Sequence, residues 1–183
     1  MAYWIFTITT HKQNGENYSP EEILKTRFKD GFWGLGEKTP NRRNLKKGDQ
    51  IVIYLGNPHK ELVASATLKS GSFQLTNEQK IELGHNSEIY SAEYGVFIEN
   101  QEEWKRPVSL ETIVDQLDFI ENKEYWFSYF QGGIRKLNEK DFKVITGARE
   151  IAIGKRTRAE ENVEKETSFA LEAHLEEFMN ANW

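Results

Sequence analysis

The chain has 183 residues, a mass of 21.4 kDa, no cysteine and a formal net charge of -5. The length suits one domain with a sizeable core and a short appended element. The lack of cysteine excludes a disulfide framework, a cysteine-ligated zinc ion and a thiol nucleophile, and it is typical of a reducing compartment. The opening MAYWIFTITTHK has neither a basic leader nor an apolar run of membrane length. We therefore expect a cytoplasmic protein with no membrane partner.

The first half of the chain predicts three strands and one helix. Residues 3–10 (YWIFTITT) are β-branched and aromatic, which favours a strand. Ser19 followed by Pro20 predicts the start of a helix that ends near Gly31. Residues 31–47 are interpreted as a loop. The strand 50–56 (QIVIYLG) then pairs with an antiparallel return strand in 61–73, after a turn at 57–60.

The second half predicts one more strand, an aromatic stretch and two short helices. Residues 90–99 form the strand, and Ser109 caps a helix after it. The stretch 125–134 (YWFSYFQGGI) ends at a double glycine, and Asn138 caps a last helix that ends at Gly147. Short strands interrupted by small helices predict an α+β fold, a compact and partly closed barrel with helices packed against it.

The C-terminal residues 148–183 differ in composition from the rest. Residues 148–166 are charged and poor in aromatics, as in a linker or an exposed helix, and residues 167–183 are amphipathic. Two alternatives stay open: this segment packs back on the barrel, or it begins a second domain. We therefore divide the chain into a barrel domain, 1–147, and an appended segment, 148–183.

Charge is unevenly distributed along the chain. Residues 25–47 hold eight basic and two acidic residues, whereas residues 78–124 hold twelve acidic and four basic ones. One side of the protein could therefore attract phosphate groups while the remainder keeps the protein soluble. The alternative is that these are solvated loop charges.

Motifs for catalysis and metal binding are missing from the sequence. The four histidines are scattered without ligand spacing, and neither a nucleophile elbow nor a phosphate-binding loop is present. We therefore expect no catalytic residue, no metal and no cofactor, and we do not expect this chain to be an enzyme.

The order of several segments resembles a known family. YWIFTIT, LKKGDQIVIYL, ELVASATL, WKRPVSLETI and QGGIRKLNEKDFKVI follow one another as in the EVE domain, a member of the PUA-like superfamily related to YTH domains. The resemblance covers about residues 2–147. It implies a small barrel of five to six strands flanked by short helices, with a pocket that receives a single modified nucleobase.

The implied pocket needs an aromatic wall to replace the stacking that a flipped base loses, and polar groups to meet the edge of the base. Trp33 is the candidate wall, because Gly34 beside it would leave one face of the indole open; the alternative is a core tryptophan at the end of the barrel. The full set of candidates is Trp33, Gly34, Leu35, Thr9, Tyr90, Tyr129 and Gln131.

Four basic residues after the tryptophan are candidates for gripping the phosphate backbone: Arg42, Arg43, Lys46 and Lys47. The resulting hypothesis is a reader of a modified base in duplex DNA, with C5-modified cytosine as first choice and N6-methyladenine as second. Residues 171–183 (LEAHLEEFMNANW) resemble the helix that opens PD-(D/E)xK nucleases. This suggests the specificity half of a modification-dependent restriction endonuclease, with a fused or associated nuclease. The alternatives are an RNA-binding PUA-like domain, an enzyme or small-molecule sensor, and a protein-interaction module.

Overall fold

The computed structural model describes residues 1–13, 15–83 and 92–149. Tyr90 and residues 150–183 lie outside the described residues. The elements in chain order are β1 (Tyr3–Ile8), β2 (His11–Gln13), β3 (Glu16–Tyr18), α1 (Pro20–Asp30), β4 (Phe32–Leu35), β5 (Gln50–Leu55), β6 (Glu61–Leu68), β7 (Phe73–Gln74), α2 (Asn77–Glu82), β8 (Tyr94–Ser109), β9 (Ile134–Leu137) and α3 (139–149).

The main sheet of the described residues runs in the order β4, β8, β6, β5, β1, β9, and β7 also pairs with β8. β1 and β5 are parallel, and the other neighbours are antiparallel. The sheet curls into a half-barrel with helices packed against it. The predicted α+β barrel is therefore confirmed. β2 and β3 form a separate hairpin.

The two faces of the sheet bury two different cores. Along β1, Trp4, Phe6 and Ile8 point into the barrel, whereas Ile5 points to the outer face. The outer core contains Ile5 together with side chains from β5, from the 110–130 region and from α3. This alternation places the end of β1 between two packed layers.

A buried carboxylate fixes the central strands relative to each other. Asp49, which is 3% exposed, accepts hydrogen bonds from the backbone N–H of Ala2 at 2.9 Å, the indole Nε1–H of Trp4 at 2.9 Å and the backbone N–H of Lys46 at 3.0 Å. A buried carboxylate is stable only when such donors satisfy it. The turn before β5 is thereby tied to the beginning of β1.

The predicted start of α1 is confirmed in detail. The side chain of Ser19 accepts a hydrogen bond from the N–H of Glu22, whose carboxylate accepts one from the N–H of Ser19, and Pro20 is the first helical residue. Gly31 ends the helix with a φ of 61°. The helix predicted after Ser109 is wrong, because residues 110–116 form two short 3-10 turns.

The loop predicted over residues 31–47 is partly wrong, because residues 32–35 form the edge strand β4. Trp33 lies opposite Val96 of β8, so that its side chain points into the barrel. The indole is 3% exposed, meets the Phe6 ring edge-on at 5.1 Å between centroids, and has the Arg27 guanidinium 4.2 Å above it. The expectation of an open indole face is therefore wrong, and the core alternative describes this residue.

The loop after β4 reaches the opposite edge of the sheet. Asn41, at a φ of 61°, donates a hydrogen bond from Nδ2 to the carbonyl oxygen of Ile134 in β9 at 3.2 Å. This contact links the chain that leaves one edge strand to the other edge strand, and it contributes to the closure of the half-barrel.

The last described helix begins where the sequence predicts. Asn138 accepts a hydrogen bond at Oδ1 from the N–H of Asp141 at 2.7 Å, which is an N-cap contact. The helix continues to residue 149, two residues beyond the predicted end at Gly147. The division into domains at 147 and 148 stays a prediction.

We predict that Trp33→Ala lowers the free energy of unfolding by about 3–5 kcal/mol, because it removes a large buried side chain from the barrel core. Urea denaturation measures this quantity. Tyr125→Ala is the matched control, since Tyr125 is 54% exposed and its loss should change stability by no more than about 0.5 kcal/mol. A Trp33→Ala protein as stable as the control would contradict the core assignment.

Candidate functional site

Two adjoining hollows open at the carboxyl end of β1. We call the first, of about 420 Å³, the aromatic hollow; it is lined by Thr7, Thr9, Tyr54, Gly56, Asn57, Lys60, Phe127, Phe130 and Gln131. We call the second, of about 300 Å³, the basic hollow; it is lined by Thr7, Pro40, Asn41, Tyr129, Phe130, Gln131, Gly133, Ile134, Arg135 and Lys136. The two hollows share Thr7, Phe130 and Gln131 in their lining and therefore adjoin.

The parallel pairing of β1 and β5 creates the floor of the aromatic hollow. Ile8 lies opposite Leu55, and the N–H of Gly56 donates to the carbonyl oxygen of Ile8 at 2.8 Å. The two chains therefore leave the sheet side by side. A Cβ at Gly56 would lie 3.0 Å from Cγ2 of Thr9, so glycine permits this close approach.

An aromatic 3-10 segment, Trp126–Phe130, covers the outer face of the sheet beside the hollows. Trp126 and Phe130 are buried and anchor the segment, and the ring of Phe130 lies 4.3 Å from that of Tyr54 at an interplanar angle of 35°. The backbone carbonyl of Tyr129 accepts a hydrogen bond from Nε of Arg135 at 2.6 Å. The segment is therefore attached to both β5 and β9.

A double glycine returns the chain to the sheet after this segment. Gly132 and Gly133 have φ values of 106° and 86°, a region that favours glycine. The carbonyl oxygen of Gly133 accepts a hydrogen bond from the N–H of Thr7 at 2.7 Å. Gln131, just before this turn, is thereby held at the border between the two hollows.

The aromatic hollow combines rings with uncharged polar groups. Tyr54, Phe127 and Phe130 supply the rings. The hydroxyls of Thr7 and Thr9 and the amides of Asn57 and Gln131 supply both donors and acceptors. This combination can enclose a flat, heteroaromatic ligand and hydrogen-bond to its edge.

Tyr54 remains protonated at neutral pH. Burial, followed by the negative charge of Glu111, raises the pKa of its hydroxyl to about 12. The wall that it forms is therefore uncharged at physiological pH.

The three cations of the site come from two elements, the turn after β5 and the strand β9. Lys60 lines the aromatic hollow, and Arg135 and Lys136 of β9 line the basic hollow. The guanidinium of Arg135 lies 5.2 Å from the centroid of the Tyr129 ring. Within residues 1–13, 15–83 and 92–149, none of these three cations forms an ion pair. They are available for an anionic ligand.

The structure brings together three of the seven residues predicted for the base pocket. Thr9 lines the aromatic hollow, Tyr129 lines the basic hollow, and Gln131 lines both. Trp33 and Leu35 are buried in the barrel core and, like Gly34 between them, line neither hollow. The predicted wall therefore stands on the other side of the sheet from these two cavities.

The predicted basic belt is divided in space. Arg42 is 8% exposed, and its guanidinium lies 3.5 Å from the centroid of the Tyr94 ring, so the expectation that it projects toward phosphates is wrong. Arg43 is exposed and follows Pro40 and Asn41 of the basic hollow.

Lys46 and Lys47 are exposed but lie in the turn before β5, near the beginning of β1. Neither lysine lines either hollow, and Thr7, which lines both hollows, lies about 13 Å further along β1 than Tyr3 by the usual rise per residue. Lys136 of the basic hollow, however, pairs with Trp4 near the beginning of β1, so a phosphate contact by Lys46 and Lys47 stays a prediction.

Sequence reasoning missed most of the lining residues, among them Thr7, Tyr54, Asn57, Lys60, Phe127, Phe130, Arg135 and Lys136. The available signal was the stretch YWFSYF, where five aromatic residues among six positions exceed what a core requires. The lysines and the arginine carried no local signal, since only the topology places them together.

The described residues contain no group of three or more metal-ligating side chains. No helix in this part of the chain is both long and apolar enough to cross a membrane.

A comparison with family models identifies the fold. The model of the EVE domain matches residues 2–148. The chain belongs to the EVE domain family. A protein of Mycolicibacterium gilvum (strain PYR-GCK) called UPF0310 protein is 27% identical over 152 residues, which cover 81% of this chain and 95% of that protein.

Solved structures share the fold of this EVE domain. Human THYN1 in complex with DNA containing 5-methylcytosine has a TM-score of 0.57 and 13% identity, with 82% of this chain and 98% of that chain covered. The YTH domain of Zygosaccharomyces rouxii MRB1 in complex with N6-methyladenosine RNA has a TM-score of 0.51 and 14% identity, with coverages of 80% and 86%. The family expected from the sequence is therefore confirmed, and these structures share its fold.

The raised pKa of Tyr54 predicts a loss of stability in alkali. Free tyrosine ionises near pH 10, whereas Tyr54 in the folded protein ionises only near pH 12. The contribution of the neutral Tyr54 hydroxyl to the free energy of unfolding is therefore complete below about pH 10 and is lost as the pH rises through about 12. Urea denaturation across this range should show a decline that Tyr54→Phe reduces and that the exposed control Tyr125→Phe leaves in place; an equal decline in all three proteins would contradict the assignment.

Proposed function

We propose that this EVE domain is a binding module that reads one modified base of a nucleic acid after the base has left the helical stack. The observation that carries the proposal is the composition of the aromatic hollow. Three rings and four uncharged polar side chains line one cavity of about 420 Å³, and a cationic cavity adjoins it. The volume falls in the range of ligand-binding pockets.

The extruded base would lie against the rings of the aromatic hollow. Leaving the stack costs a few kcal/mol, and stacking on an aromatic side chain returns roughly 1–3 kcal/mol per base. Phe130 and Tyr54 form a fixed pair at the back of the cavity, where they are 6% and 3% exposed, so the base would contact only the ring surface that borders the hollow. A methyl group on the base would bury apolar area against them, worth roughly 0.8 kcal/mol.

The edge of the base would be read by the amides and hydroxyls at the mouth. Gln131 and Asn57 each offer both a donor and an acceptor, so each can hydrogen-bond to a donor or to an acceptor on the edge of a base. Thr9 adds a hydroxyl between them and the end of β1. An analogue that leaves these groups unpaired would bind more weakly.

The phosphate backbone would lie along the cations that border the two hollows. Lys60, Arg135 and Lys136 border the two hollows and would hold phosphates beside the extruded base. Such contacts contribute affinity without sequence preference and weaken as salt rises.

The solved relatives favour modified bases as the ligand. THYN1 was solved with DNA containing 5-methylcytosine and the MRB1 YTH domain with N6-methyladenosine RNA. We therefore propose C5-modified cytosine in duplex DNA first and N6-methyladenine second. A modified single-stranded RNA is the alternative that the YTH domain favours.

We propose that the chain acts by binding and that any chemistry belongs to a partner. The suggested role as the specificity part of a modification-dependent restriction endonuclease rests on the resemblance of residues 171–183 to the opening helix of a nuclease domain. Co-purification of a nuclease activity with the full-length protein tests this part separately.

Gln131→Ala should reduce the preference for a modified over an unmodified base by about three- to tenfold, because one hydrogen bond to the base is lost. Gel shifts or fluorescence anisotropy measure it on oligonucleotides that differ in one base, as duplex DNA and as single-stranded RNA. Gln116→Ala, an exposed glutamine that lines neither hollow, is the control. If the wild-type protein binds every base tested with the same affinity, in both nucleic acids, the proposed function is refuted.

Lys136→Met should weaken binding to all sequences alike and reduce the slope of log affinity against log salt by about one. Lys46→Met is the matched control, since this exposed lysine lines neither hollow. If Lys46→Met reduces the slope and Lys136→Met does not, the backbone follows the belt expected from the sequence instead of the basic hollow.

A further inference from the structure

Two large aromatic side chains project into solvent beside the aromatic hollow. Tyr125 is 54% exposed and Phe127 is 51% exposed, and their rings meet edge-on with centroids 6.1 Å apart. Phe127 also lines the hollow. We call this pair the aromatic ridge. Contiguous exposed aromatics at the rim of a cavity mark an interaction surface more often than a fold requirement.

The aromatic ridge is held on a rigid base. Trp126 and Phe130, on either side of Phe127, are 8% and 6% exposed and anchor the segment in the outer core. Oδ1 of Asn122 accepts a hydrogen bond from the N–H of Tyr125 at 3.3 Å, and the carbonyl oxygen of Tyr125 accepts one from the N–H of Ser128 at 3.1 Å. With the backbone fixed in this way, the two rings stay at the surface.

The charges next to the ridge are mixed, which limits what the ridge can recognise. Glu124 precedes Tyr125, whereas Nζ of Lys60 lies 5.9 Å from the centroid of the Trp126 ring in the same segment. The side chains of Tyr125 and Phe127 are themselves uncharged. Ring faces are what the ridge offers, and ring faces bind other rings.

We propose that Phe127, supported by Tyr125, is a wedge that enters the base stack of a duplex at the position that the extruded base leaves. This inference rests on the proposed function and deepens it, since it assigns duplex nucleic acid as the partner. Extrusion removes the stacking of the neighbouring base pairs, and an apolar ring inserted between them replaces part of it. Phe127 borders the hollow that receives the base. The approach that seats the extruded base in the hollow therefore also brings the Phe127 ring to the gap in the base stack.

Binding measurements can distinguish a wedge from a ring that only stacks on the base inside the hollow. A wedge stabilises only the state in which a paired base has been removed from a duplex. A single strand has no gap to fill, and a target base opposite an abasic site is already partly unstacked, so both substrates need the wedge less. A wall of the hollow would contribute equally to all three substrates.

The test compares Phe127→Ala with wild type on three DNA probes that carry one 5-methylcytosine in the same sequence. The probes are a paired duplex, the same duplex with an abasic site opposite the target, and the single strand. We expect Phe127→Ala to weaken binding to the paired duplex about tenfold or more, and to the single strand less than threefold, with the abasic duplex between them. The salt dependence should be unchanged, because no phosphate contact is lost.

Two further variants separate ring character from folding. Phe127→Tyr keeps the ring and should bind the paired duplex like wild type. Phe127→Leu keeps only apolar bulk, and its affinity for the paired duplex should lie between those of Phe127→Tyr and Phe127→Ala. Thermal unfolding of each variant should match wild type, because Phe127 is half exposed. Fluorescence of 2-aminopurine placed beside the target should rise on binding and rise less with Phe127→Ala.

Each outcome decides between the alternatives. Equal loss on all three probes makes Phe127 a wall of the hollow and overturns the wedge, while the proposed function stands. Unchanged binding on all three also overturns the wedge. If wild type binds modified and unmodified probes alike, yet Phe127→Ala is defective only on paired duplex, the base-reading proposal fails and the wedge is supported.

Discussion

The buried carboxylate of Asp49 is the constraint on which the rest of the structure depends. By accepting hydrogen bonds from Ala2, Trp4 and Lys46, it fixes the parallel register of β1 and β5 at one end. Because that register is fixed, the two strands also finish together at the far end, where Ile8 lies opposite Leu55. The floor of the aromatic hollow is thus set by an interaction at the other end of β1.

The elements that could be predicted are those with local signals. The strand β1, the capping box at Ser19 and the turn before β5 each depend on residues close in sequence, and the structure contains all three. The role of Trp33 could not be predicted in this way. Whether an indole faces solvent or the barrel depends on the pairing of β4 with β8, more than sixty positions away along the chain, and Trp33 lies opposite Val96 there.

The positions of the cations in the fold also could not be predicted from local sequence. Eight basic residues cluster between positions 25 and 47, but the fold stacks Arg42 on Tyr94 and leaves Lys46 outside the lining of both hollows. The cations that border the hollows come from the turn after β5 and from β9. Thr9, Tyr129 and Gln131 could be predicted because they lie beside features that the sequence marks: Thr9 follows a strand, and Tyr129 and Gln131 precede a double glycine.

The hydrogen bond from Asn41 to Ile134 has a consequence for self-association. A terminal strand of a sheet is a template on which another chain can add a strand, and long, flat and apolar borders aggregate. β9 is only four residues long and carries Lys136, and Asn41 occupies one of its carbonyl groups. These three features disfavour the addition of a strand from another chain at this border, and the border is also the wall of the basic hollow, since Ile134, Arg135 and Lys136 line it.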